Sequence, residues 1–340
     1  MTDDKTMTDD KKRVLIVGAG GFIGGFMARE CLSRGWQTVC GVRASTSRRY
    51  LADPALEFLT LDYDDPDTLR RQLEEAGRFD YIIYNLGATK CVNFTDFNRI
   101  NYVYLRTFVE TLIEASLVPD KMVYISSLSA LGPGDETTYA PLNDSTIPRP
   151  NTRYGLSKIK AETFLDSLPA SFPWVVLRPT GVYGPHDRDY LMMIKCIDAH
   201  FDFGVGFRRQ MLTFIYVADL AAAACDALER APIRRKYIVS EPRAYSQSEF
   251  RRIVASALGR KFVIPVRLPL WALSVACSVS EKWGAAQMKP ATLNSDKYHI
   301  LAQRNWNCDI TPAQRDFGFA PRVSLADGIR LTIDAWRNEQ

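Results

Sequence analysis

Two side chains near the middle of the sequence have the types and the spacing for proton transfer. Tyr154 and Lys158 are four residues apart, so in a helix they share one face. A phenol has a pKa of about 10 and exchanges protons poorly at neutral pH, but a nearby ammonium stabilises the phenolate and lowers that pKa. Ser127 follows a predicted strand that ends at Ile125, where its hydroxyl could hold a carbonyl oxygen. Together Ser127, Tyr154 and Lys158 predict acid–base catalysis at a carbonyl, although a Tyr-x-x-x-Lys pair alone is common and usually has no function.

A glycine-rich turn near the N-terminus predicts a dinucleotide site. The turn lies between a predicted strand, 14–17, and a predicted helix, 22–34. Residues without a Cβ let the backbone approach a pyrophosphate, and the N-terminus of the helix offers unpaired N–H donors to the phosphates. The alternative is a strand–helix turn without a ligand, but the placement between strand and helix favours the dinucleotide. The residues we assign to cofactor binding here are Gly18, Gly20, Gly21, Phe22, Ile23 and Gly24.

The end of the second predicted strand, 38–42, bears on the choice of dinucleotide. An acidic residue there would bind the ribose 2′-hydroxyl of NAD, whereas an arginine suits the 2′-phosphate of NADP. Arg43 stands at this point, Arg48 and Arg49 are nearby, and no acidic residue occupies the corresponding position. The sequence therefore favours NADP(H), with NAD(H) as the second choice. Alternatively, these arginines form a solvated basic surface and do not bind a cofactor.

Alternating apolar runs and helical patterns predict the scaffold. Strands are predicted at 14–17, 38–42, 56–61, 81–84, 122–125 and 174–177, with helices between them that include 66–76, 101–115 and 151–167. Such alternation indicates right-handed βαβ units and a parallel sheet. We expect an α/β protein with a Rossmann-type doubly wound parallel sheet and a smaller C-terminal substrate lobe. The expected parts are a flexible tail (1–11), an NAD(P)-binding domain (12–178, with 212–240 returning to it) and a substrate-binding lobe (179–211 and 241–338).

Composition excludes several classes of protein. Hydrophobic residues are 46% and charged residues 24% of the 340, which excludes a disordered or fibrous chain. The net charge of +4 is small and scattered, so nucleic acid is not an expected partner. Seven separated cysteines without a Cys-x-x-Cys indicate a reducing compartment, and we expect a cytoplasmic location without a secretory signal. Three histidines without metal-ligand spacing predict no metal site.

The longest uncharged apolar stretch, 268–280, is too short to cross a membrane. A stretch of this length is either a buried core helix or a helix at a membrane surface, and we favour the core. No membrane span is therefore expected, and surface association stays open.

The chain resembles the extended branch of the short-chain dehydrogenase/reductase superfamily, which includes sugar-nucleotide epimerases, dihydroflavonol-type reductases and 3β-hydroxysteroid dehydrogenases. The resemblance runs over nearly the whole chain, and Asn101 opens a helix much like the family's. The residues that fall on the family's cofactor and catalytic positions are Gly18, Gly21, Gly24, Arg43, Ser127, Tyr154 and Lys158. The resemblance adds further cofactor contacts, which are Asp62 and Tyr63 at the adenine, Leu86 along the cofactor, and Pro179 beside the nicotinamide.

The resemblance implies a shared mechanism. Hydride passes between nicotinamide C4 and a carbonyl carbon, Tyr154 gives a proton to the carbonyl oxygen or takes it back, and Ser127 polarises the carbonyl. Lys158 lowers the Tyr154 pKa and binds the nicotinamide ribose. Many epimerases have an aromatic residue before the glycine of the serine segment, where this chain has Leu131, and this departure disfavours a sugar substrate.

Three functions are compatible with these features, and all take a small molecule as partner. The first is an NADPH-dependent reductase of a ketone on a hydrophobic or lipid-like substrate, such as a 3-keto sphingoid base or a 3-keto sterol, which Arg43 and the apolar stretch favour. The second is an NAD(P)-dependent sugar-nucleotide epimerase or dehydratase, in which Arg208 and Arg209 would bind a pyrophosphate. The third is a non-catalytic NADP-binding protein, which the intact Ser127, Tyr154 and Lys158 disfavour.

Two further features stay open. A homodimer could form through the helices 101–115 and 151–167, whose apolar stripes could instead face the sheet. His186 follows the segment expected beside the nicotinamide, and there it is more typical of a loop residue than of a catalytic one.

Overall fold

The computed structural model describes residues 11–287, 291 and 294–339, so the expected flexible tail lies outside the described residues except for Lys11. The strands are β1 (Arg13–Val17), β2 (Gln37–Val42), β3 (Glu57–Thr60), β4 (Tyr81–Tyr84), β5 (Lys121–Ile125), β6 (Trp174–Pro179), β7 (Gly181–Tyr183), β8 (Phe201–Val205), β9 (Met211–Leu212), β10 (Phe214–Tyr216), β11 (Arg235–Val239), β12 (Tyr245–Ser246) and β13 (Ile264–Leu268). The α-helices are α1 (Phe22–Ser33), α2 (Pro66–Ala76), α3 (Phe94–Asn98), α4 (Tyr104–Glu114), α5 (Arg153–Ser167), α6 (Asp189–Asp198), α7 (Val217–Arg230), α8 (Gln247–Leu258), α9 (Leu270–Ala286), α10 (Ser295–Ala302), α11 (Thr311–Phe317) and α12 (Leu325–Asn338).

The central sheet is parallel and doubly wound. In the described residues, seven strands pair in the order β11-β6-β5-β4-β1-β2-β3, and all neighbouring strands are parallel. The chain runs outward from β1 through β2 to β3, then crosses to β4 and continues to the other edge. The direction of winding therefore reverses between β1 and β4, and in such sheets ligands bind at the carboxyl ends of the strands near this point.

Helices cover both faces of the sheet, which is why its strands are continuous apolar runs rather than alternating ones. In β1, Val14 and Ile16 enter one core beside α1 and α7, while Leu15 and Val17 enter the other beside α4 and α5. All four side chains are fully buried. Burial on both faces holds the carboxyl end of β1, and the glycine turn that follows it, in a fixed position.

The later segments add elements outside this sheet. The segment at 214–216 pairs with β7 rather than with the large sheet, whereas 235–239 does join the sheet as β11. A third core packs β10, α6, α8 and α12 together. The division of the chain into two lobes stays a prediction.

The apolar stripe of α4 faces the sheet. Leu105, Phe108, Val109 and Leu112 are buried in the core under this helix. Of the two predicted uses of this stripe, packing on the sheet is therefore the one observed for α4. The homodimer stays a prediction.

Helix α9 differs from the expectation of a buried core helix. Leu273 and Cys277 are buried, but Trp271 and Trp283, on other sides of the helix, are about 70% exposed (73% and 69%). The preference for the core was therefore wrong for most of this stretch, because only one side of α9 packs against the protein. None of the helices in the described part of the chain is long and apolar enough to cross a membrane.

Candidate active site

A cleft of about 730 Å³ opens at the carboxyl edge of the sheet, at the point where the winding reverses. It extends from the end of β2, past the glycine turn, to the start of α5. The sequence-predicted site residues that line it are Gly18, Gly20, Gly21, Phe22, Ile23, Arg43, Tyr63, Leu86, Ser127, Tyr154, Lys158 and Pro179. Two predicted residues, Gly24 and Asp62, are not part of the lining.

The glycines of the turn have different tasks. Gly18 has φ +83°, and a Cβ there would lie 2.8 Å from the Leu86 Cα. A Cβ on Gly24 would lie 2.5 Å from the Ala19 carbonyl oxygen, so Gly24 allows α1 to pack closely without lining the cleft. At Gly21 a Cβ would meet only the Gly18 oxygen, at 3.7 Å. The fold therefore requires Gly18 and Gly24, while Gly21 leaves room in the cleft.

This difference makes a testable prediction. Gly18→Ala should destabilise the ligand-free chain by about 1–3 kcal/mol, because it combines a positive φ with a backbone clash. Gly21→Ala should leave unfolding by urea nearly unchanged but weaken dinucleotide binding, because the methyl group enters the cleft. Urea titration with and without dinucleotide separates the two effects. Equal stability losses in both variants would contradict the assignment.

The start of α1 offers unpaired donors to this cleft. Its N-cap residue is Gly21, and no side chain in the described residues caps the helix. The first N–H groups of a helix lack intrahelical acceptors and carry partial positive charge, so they suit phosphate oxygens. The turn and the helix therefore fit a pyrophosphate.

One arginine of the three near β2 reaches the cleft. Arg43 lines it, whereas the Arg48 guanidinium lies 4.1 Å from the Phe58 ring centre and Arg49 is 3.9 Å from Glu339. Three hydroxyl side chains of the following loop also line the cleft, namely Ser45, Thr46 and Ser47. Sequence reasoning missed them, although the run of hydroxyl residues directly after Arg43 was a usable signal. An arginine with adjacent hydroxyls suits a phosphate.

Where the sequence predicts the adenine contacts, Tyr63 lines the cleft and Asp62 does not. Asp62 is exposed, its backbone N–H donates to Gln72 at 2.9 Å, and its carboxylate accepts from the Asp64 N–H at 3.0 Å. This turn directs the carboxylate away from the cleft. Tyr63 lines the cleft and stacks on Tyr104 at 5.4 Å, and burial raises the pKa of its phenol.

Ser127, Tyr154 and Lys158 converge at the other end. Helix α5 begins at Arg153 after Thr152, whose hydroxyl accepts from the Gly155 N–H at 2.9 Å. The Lys158 Nζ lies 6.0 Å from the centre of the Tyr154 ring and donates to the Ile125 carbonyl at 2.8 Å. Ser127 lies two residues beyond β5, and its Oγ accepts from the Ser129 N–H at 3.1 Å. The helix spacing and the strand end thus bring the three side chains to one place.

Burial controls the protonation of this group. Burial raises the pKa of Tyr154 to about 12, and the Ser127 hydroxyl opposes that shift by hydrogen bonding. Burial lowers the pKa of Lys158 to about 7, and the carboxylate of Glu162 opposes that shift. In this arrangement desolvation outweighs any lowering of the phenol pKa by the lysine. Tyr154 therefore holds its proton at neutral pH, as a general acid must.

A buried ionic network supports Lys158 from behind. Glu162 lies one turn after Lys158, is fully buried, and is 2.5 Å from the Arg178 guanidinium. The Ser126 hydroxyl donates to Glu162 at 2.6 Å, and the Lys236 ammonium is 3.6 Å away. These partners offset part of the cost of burying the Glu162 carboxylate close to Lys158. Sequence reasoning missed this network.

Asn101 joins the cofactor side of the cleft to α5. It is fully buried inside a π-helical turn, Arg99–Val103, that precedes α4. Its amide oxygen accepts from the Ala88 N–H at 2.7 Å, and its amide nitrogen donates to the Ser157 hydroxyl at 2.8 Å. The side chain therefore holds the segment after β4 against the helix that carries Tyr154 and Lys158.

The C-terminal helices also position Tyr154. The Asp296 carboxylate, from α10, accepts from the backbone N–H groups of Arg153 and Tyr154, each at 3.0 Å. Glu281, from α9, binds the Arg153 guanidinium at 2.8 Å and the Ser295 N–H at 3.0 Å. Asp296 therefore binds the positive N-terminus of α5 directly, and Glu281 binds the side chain of the first residue of that helix. No pattern in the sequence pointed to either residue.

The predicted substrate end of the cleft, which is the part lined by residues of α6 and α10, carries paired charges. Asp189 lies 2.7 Å from the Lys90 ammonium and 3.3 Å from the Lys297 ammonium, and all three line the cleft. Arg208 and Arg209 are exposed and are not part of the lining. His186 is not part of the lining either. Its ring stacks on the Tyr50 ring with a centre-to-centre distance of 4.4 Å, as expected of a loop residue. The described residues contain no group of His, Cys, Asp and Glu that could hold a metal.

The fold and the site define a dinucleotide-binding enzyme of the extended short-chain dehydrogenase/reductase type. The chain belongs to the NAD dependent epimerase/dehydratase family, whose model matches residues 14–240. The match confirms the predicted family resemblance and the Rossmann-type fold. The chain is an NAD(P)-dependent enzyme.

Curated relatives and solved structures agree with this assignment. The ceramide reductase of Caulobacter vibrioides is 26% identical over 333 residues, which cover 97% of this chain and 96% of the relative. The decarboxylating sterol-4-alpha-carboxylate 3-dehydrogenase of Saccharomyces cerevisiae is 21% identical over 353 residues, covering 96% and 98%. The UDP-glucose 4-epimerase of Thermotoga maritima, solved with UDP-glucose, superposes with a TM-score of 0.76 at 19% identity, covering 96% and 99%.

The residues present fit a nicotinamide dinucleotide. Gly18 and Gly21 leave a cradle that a Cβ would fill or distort, and the uncapped start of α1 lies beside it. Two buried hydroxyls that line the cleft, those of Tyr63 and Thr180, have no partner among the described residues. Buried polar atoms normally have partners, so both point to a ligand.

Proposed function

We propose that this chain is an NADPH-dependent reductase that converts a ketone on a hydrophobic, lipid-like substrate to a secondary alcohol. The observation that carries the reaction type is the convergence of Ser127, Tyr154 and Lys158 at one end of a cleft whose other end holds the glycine turn. The similarity to a ceramide reductase and a sterol dehydrogenase supports a substrate such as a 3-keto sphingoid base or a 3-keto sterol.

Each of the three side chains has a separate task in this proposal. Tyr154, protonated at neutral pH, gives its phenolic proton to the carbonyl oxygen, and the Ser127 hydroxyl donates a hydrogen bond to the same oxygen. Lys158, held by the Ile125 carbonyl, binds the nicotinamide ribose. When bound, the nicotinamide supplies the hydride that reduces the carbonyl carbon. Glu162 and Asp296 act only through Lys158 and α5, so they are positioning residues.

We assign the preference for NADP(H) over NAD(H) to Arg43 and the hydroxyls of Ser45, Thr46 and Ser47. A charged hydrogen bond contributes about 1.5–3 kcal/mol, so Arg43→Ala should raise the Kd for NADPH roughly 10- to 100-fold. The Kd for NADH should change little, because NADH lacks the 2′-phosphate. Arg48→Ala is the matched control, since Arg48 packs on Phe58 instead of lining the cleft. Equal losses for both cofactors would contradict the assignment.

The charges at the substrate end support a substrate without a phosphate group. A sugar nucleotide brings a pyrophosphate, which needs cations free to bind it. Lys90 and Lys297 are both bound to Asp189, and Arg208 and Arg209 stand outside the lining. Within the described residues, Arg43 is the arginine that lines the cleft, and it lies at the opposite end.

The experiment that tests this function is a screen of NADPH oxidation with sphingoid ketones, steroid ketones and nucleotide sugars. We expect NADPH absorbance to fall only with a ketone, and NADP to exchange in every turnover. The second candidate, a sugar-nucleotide epimerase or dehydratase, is favoured by the similarity to the Thermotoga maritima enzyme. The second proposal would replace the first if the chain kept NAD through purification, were stabilised against unfolding by UDP, and reduced no ketone.

We further propose a cytoplasmic location and a homodimer. All seven cysteines are free thiols, which supports a reducing compartment. They include Cys31 and Cys225, whose sulfur atoms lie 3.6 Å apart in the core.

For the homodimer, Leu156 on α5 is exposed and offers an apolar contact to a second copy. Light scattering after size exclusion tests the dimer, and Leu156→Lys should dissociate it.

A further inference from the structure

The two-stranded sheet β8–β13 leaves one of its faces uncovered. Phe201 pairs with Ile264, and Phe203 stacks on Phe201 with a ring-centre distance of 6.1 Å. These three side chains are exposed, whereas Asp202 and Gly204, which point to the opposite face, are buried against the protein. The outward face of this sheet is therefore apolar although it meets solvent.

Helix α9, which follows this sheet in the chain, carries a second row of exposed apolar side chains. It starts two residues after β13, and Trp271, Val275, Val279 and Trp283 are exposed along it at intervals of four residues. Leu273 and Cys277 hold its other side against the protein. The outer surface, called the apolar face below, consists of Phe201, Phe203, Phe207, Phe262, Ile264, Leu268, Trp271, Val275, Val279 and Trp283.

The apolar face is too large to be incidental. Aromatic side chains have about 150–250 Å² of surface each. Five of the six aromatic residues here and two of the four aliphatic ones are at least half exposed. Together they expose an apolar area on the order of several hundred Å² or more, at or above the largest patch usual on a monomer. Patches of that size mark binding surfaces for proteins or membranes.

The charge around the apolar face selects between these partners. Arg208, Arg209, Lys261 and Lys282 are exposed beside it and make no ion pair within the described residues. Between residues 259 and 284 the acidic residue is Glu281, which is bound to Arg153 on the inner side. A symmetric pairing of two copies through this face would bring these cations together, which disfavours it.

We propose that the apolar face docks on the surface of a bilayer that contains anionic lipids. Tryptophans concentrate at the membrane–water interface, apolar side chains enter the boundary below the headgroups, and lysines and arginines bind anionic headgroups. The association is peripheral, because the inner side of α9 packs on the protein.

Docking would bring the bilayer close to the substrate end of the cleft. Glu281 of α9 binds Arg153, which precedes Tyr154, and the neighbouring α10 contributes Asp296, Lys297 and Ile300 to the lining. A lipid ketone could then pass from the bilayer into the cleft without crossing water. This last step rests on the proposed function, whereas the docking itself does not.

The test measures sedimentation of the full chain with phosphatidylcholine vesicles, with and without phosphatidylglycerol. We expect binding that needs the anionic lipid and weakens with salt, together with a shift of tryptophan emission to shorter wavelength. Trp271→Ala combined with Trp283→Ala should weaken binding about tenfold or more, because two large apolar side chains are lost. Ile233→Ala, an exposed aliphatic residue just before β11, is the matched control and should bind as the wild type does.

Three results would overturn the proposal. They are a wild-type chain that stays in the supernatant with every vesicle, a double variant that binds unchanged, and a wild-type dimer that the double variant dissociates. Turnover of a soluble short-chain ketone separates this proposal from the proposed function. If that turnover persists without docking, only the docking fails, and if docking persists while no ketone is reduced, only the proposed reductase activity fails.

Discussion

Tyr154→Phe is expected to lose turnover by about 10²- to 10⁴-fold while it binds NADPH as the wild type does. The substitution removes one oxygen atom, the one that gives the proton in the proposed reaction. The ring itself stays in place, because it packs near the Phe97 ring at 6.3 Å and because Asp296 binds the Tyr154 N–H through the backbone. Single-turnover oxidation of NADPH, with cofactor affinity measured separately, isolates the proton-transfer step.

A second tyrosine in the same cleft provides the control. Tyr190 also lines the cleft and is partly buried, so Tyr190→Phe makes the same chemical change in the same cleft. We expect that variant to keep turnover within about tenfold of the wild type, since it takes no part in proton transfer. Turnover of Tyr154→Phe within the same range would show that the acid is another group.

The parts of the site that sequence alone could locate are the local ones. The Tyr154–Lys158 pair depends on helix periodicity, and the glycine turn depends on a strand and a helix that adjoin it in the chain. Ser127 could be placed because the carboxyl ends of parallel strands share one edge of the sheet. Each of these inferences requires only a few neighbouring residues or one rule of sheet topology.

The parts that sequence could not locate depend on contacts between distant residues. Asp296 reaches α5 across more than 140 positions, and Arg178 of the strand β6 meets Glu162 of the helix α5. Single residues also depend on local turn geometry, which turned Asp62 outward and left Tyr63 in the cleft. An apolar run shows that a helix such as α9 is apolar, but it does not show which of its sides the protein covers.

Lys158→Met is expected to abolish most turnover and yet to stabilise the ligand-free chain at neutral and acidic pH. Lys158 is 3% exposed, and burial lowers the pKa of its ammonium from 10.5 to about 7. The unfolded chain therefore binds a proton more tightly than the folded chain, so the ammonium destabilises the fold. This destabilisation is complete below pH 7 and is lost as the pH rises from about 7 to about 10.5. At 1.36 kcal/mol per pKa unit it amounts to roughly 5 kcal/mol below pH 7.

Methionine removes this cost but leaves the Ile125 carbonyl without its donor, which costs about 1–3 kcal/mol, so a net gain of about 2–4 kcal/mol remains. Glu162 keeps Arg178 and Ser126 as partners, so no unpaired charge results. In urea unfolding, the advantage of the variant should shrink by roughly 3 kcal/mol between about pH 6 and about pH 9. Lys160→Met, the same change at an exposed position two residues away, should alter neither stability nor its pH dependence by more than about 0.5 kcal/mol. A constant difference between Lys158→Met and the wild type across this range would show that Lys158 remains fully protonated in the folded chain.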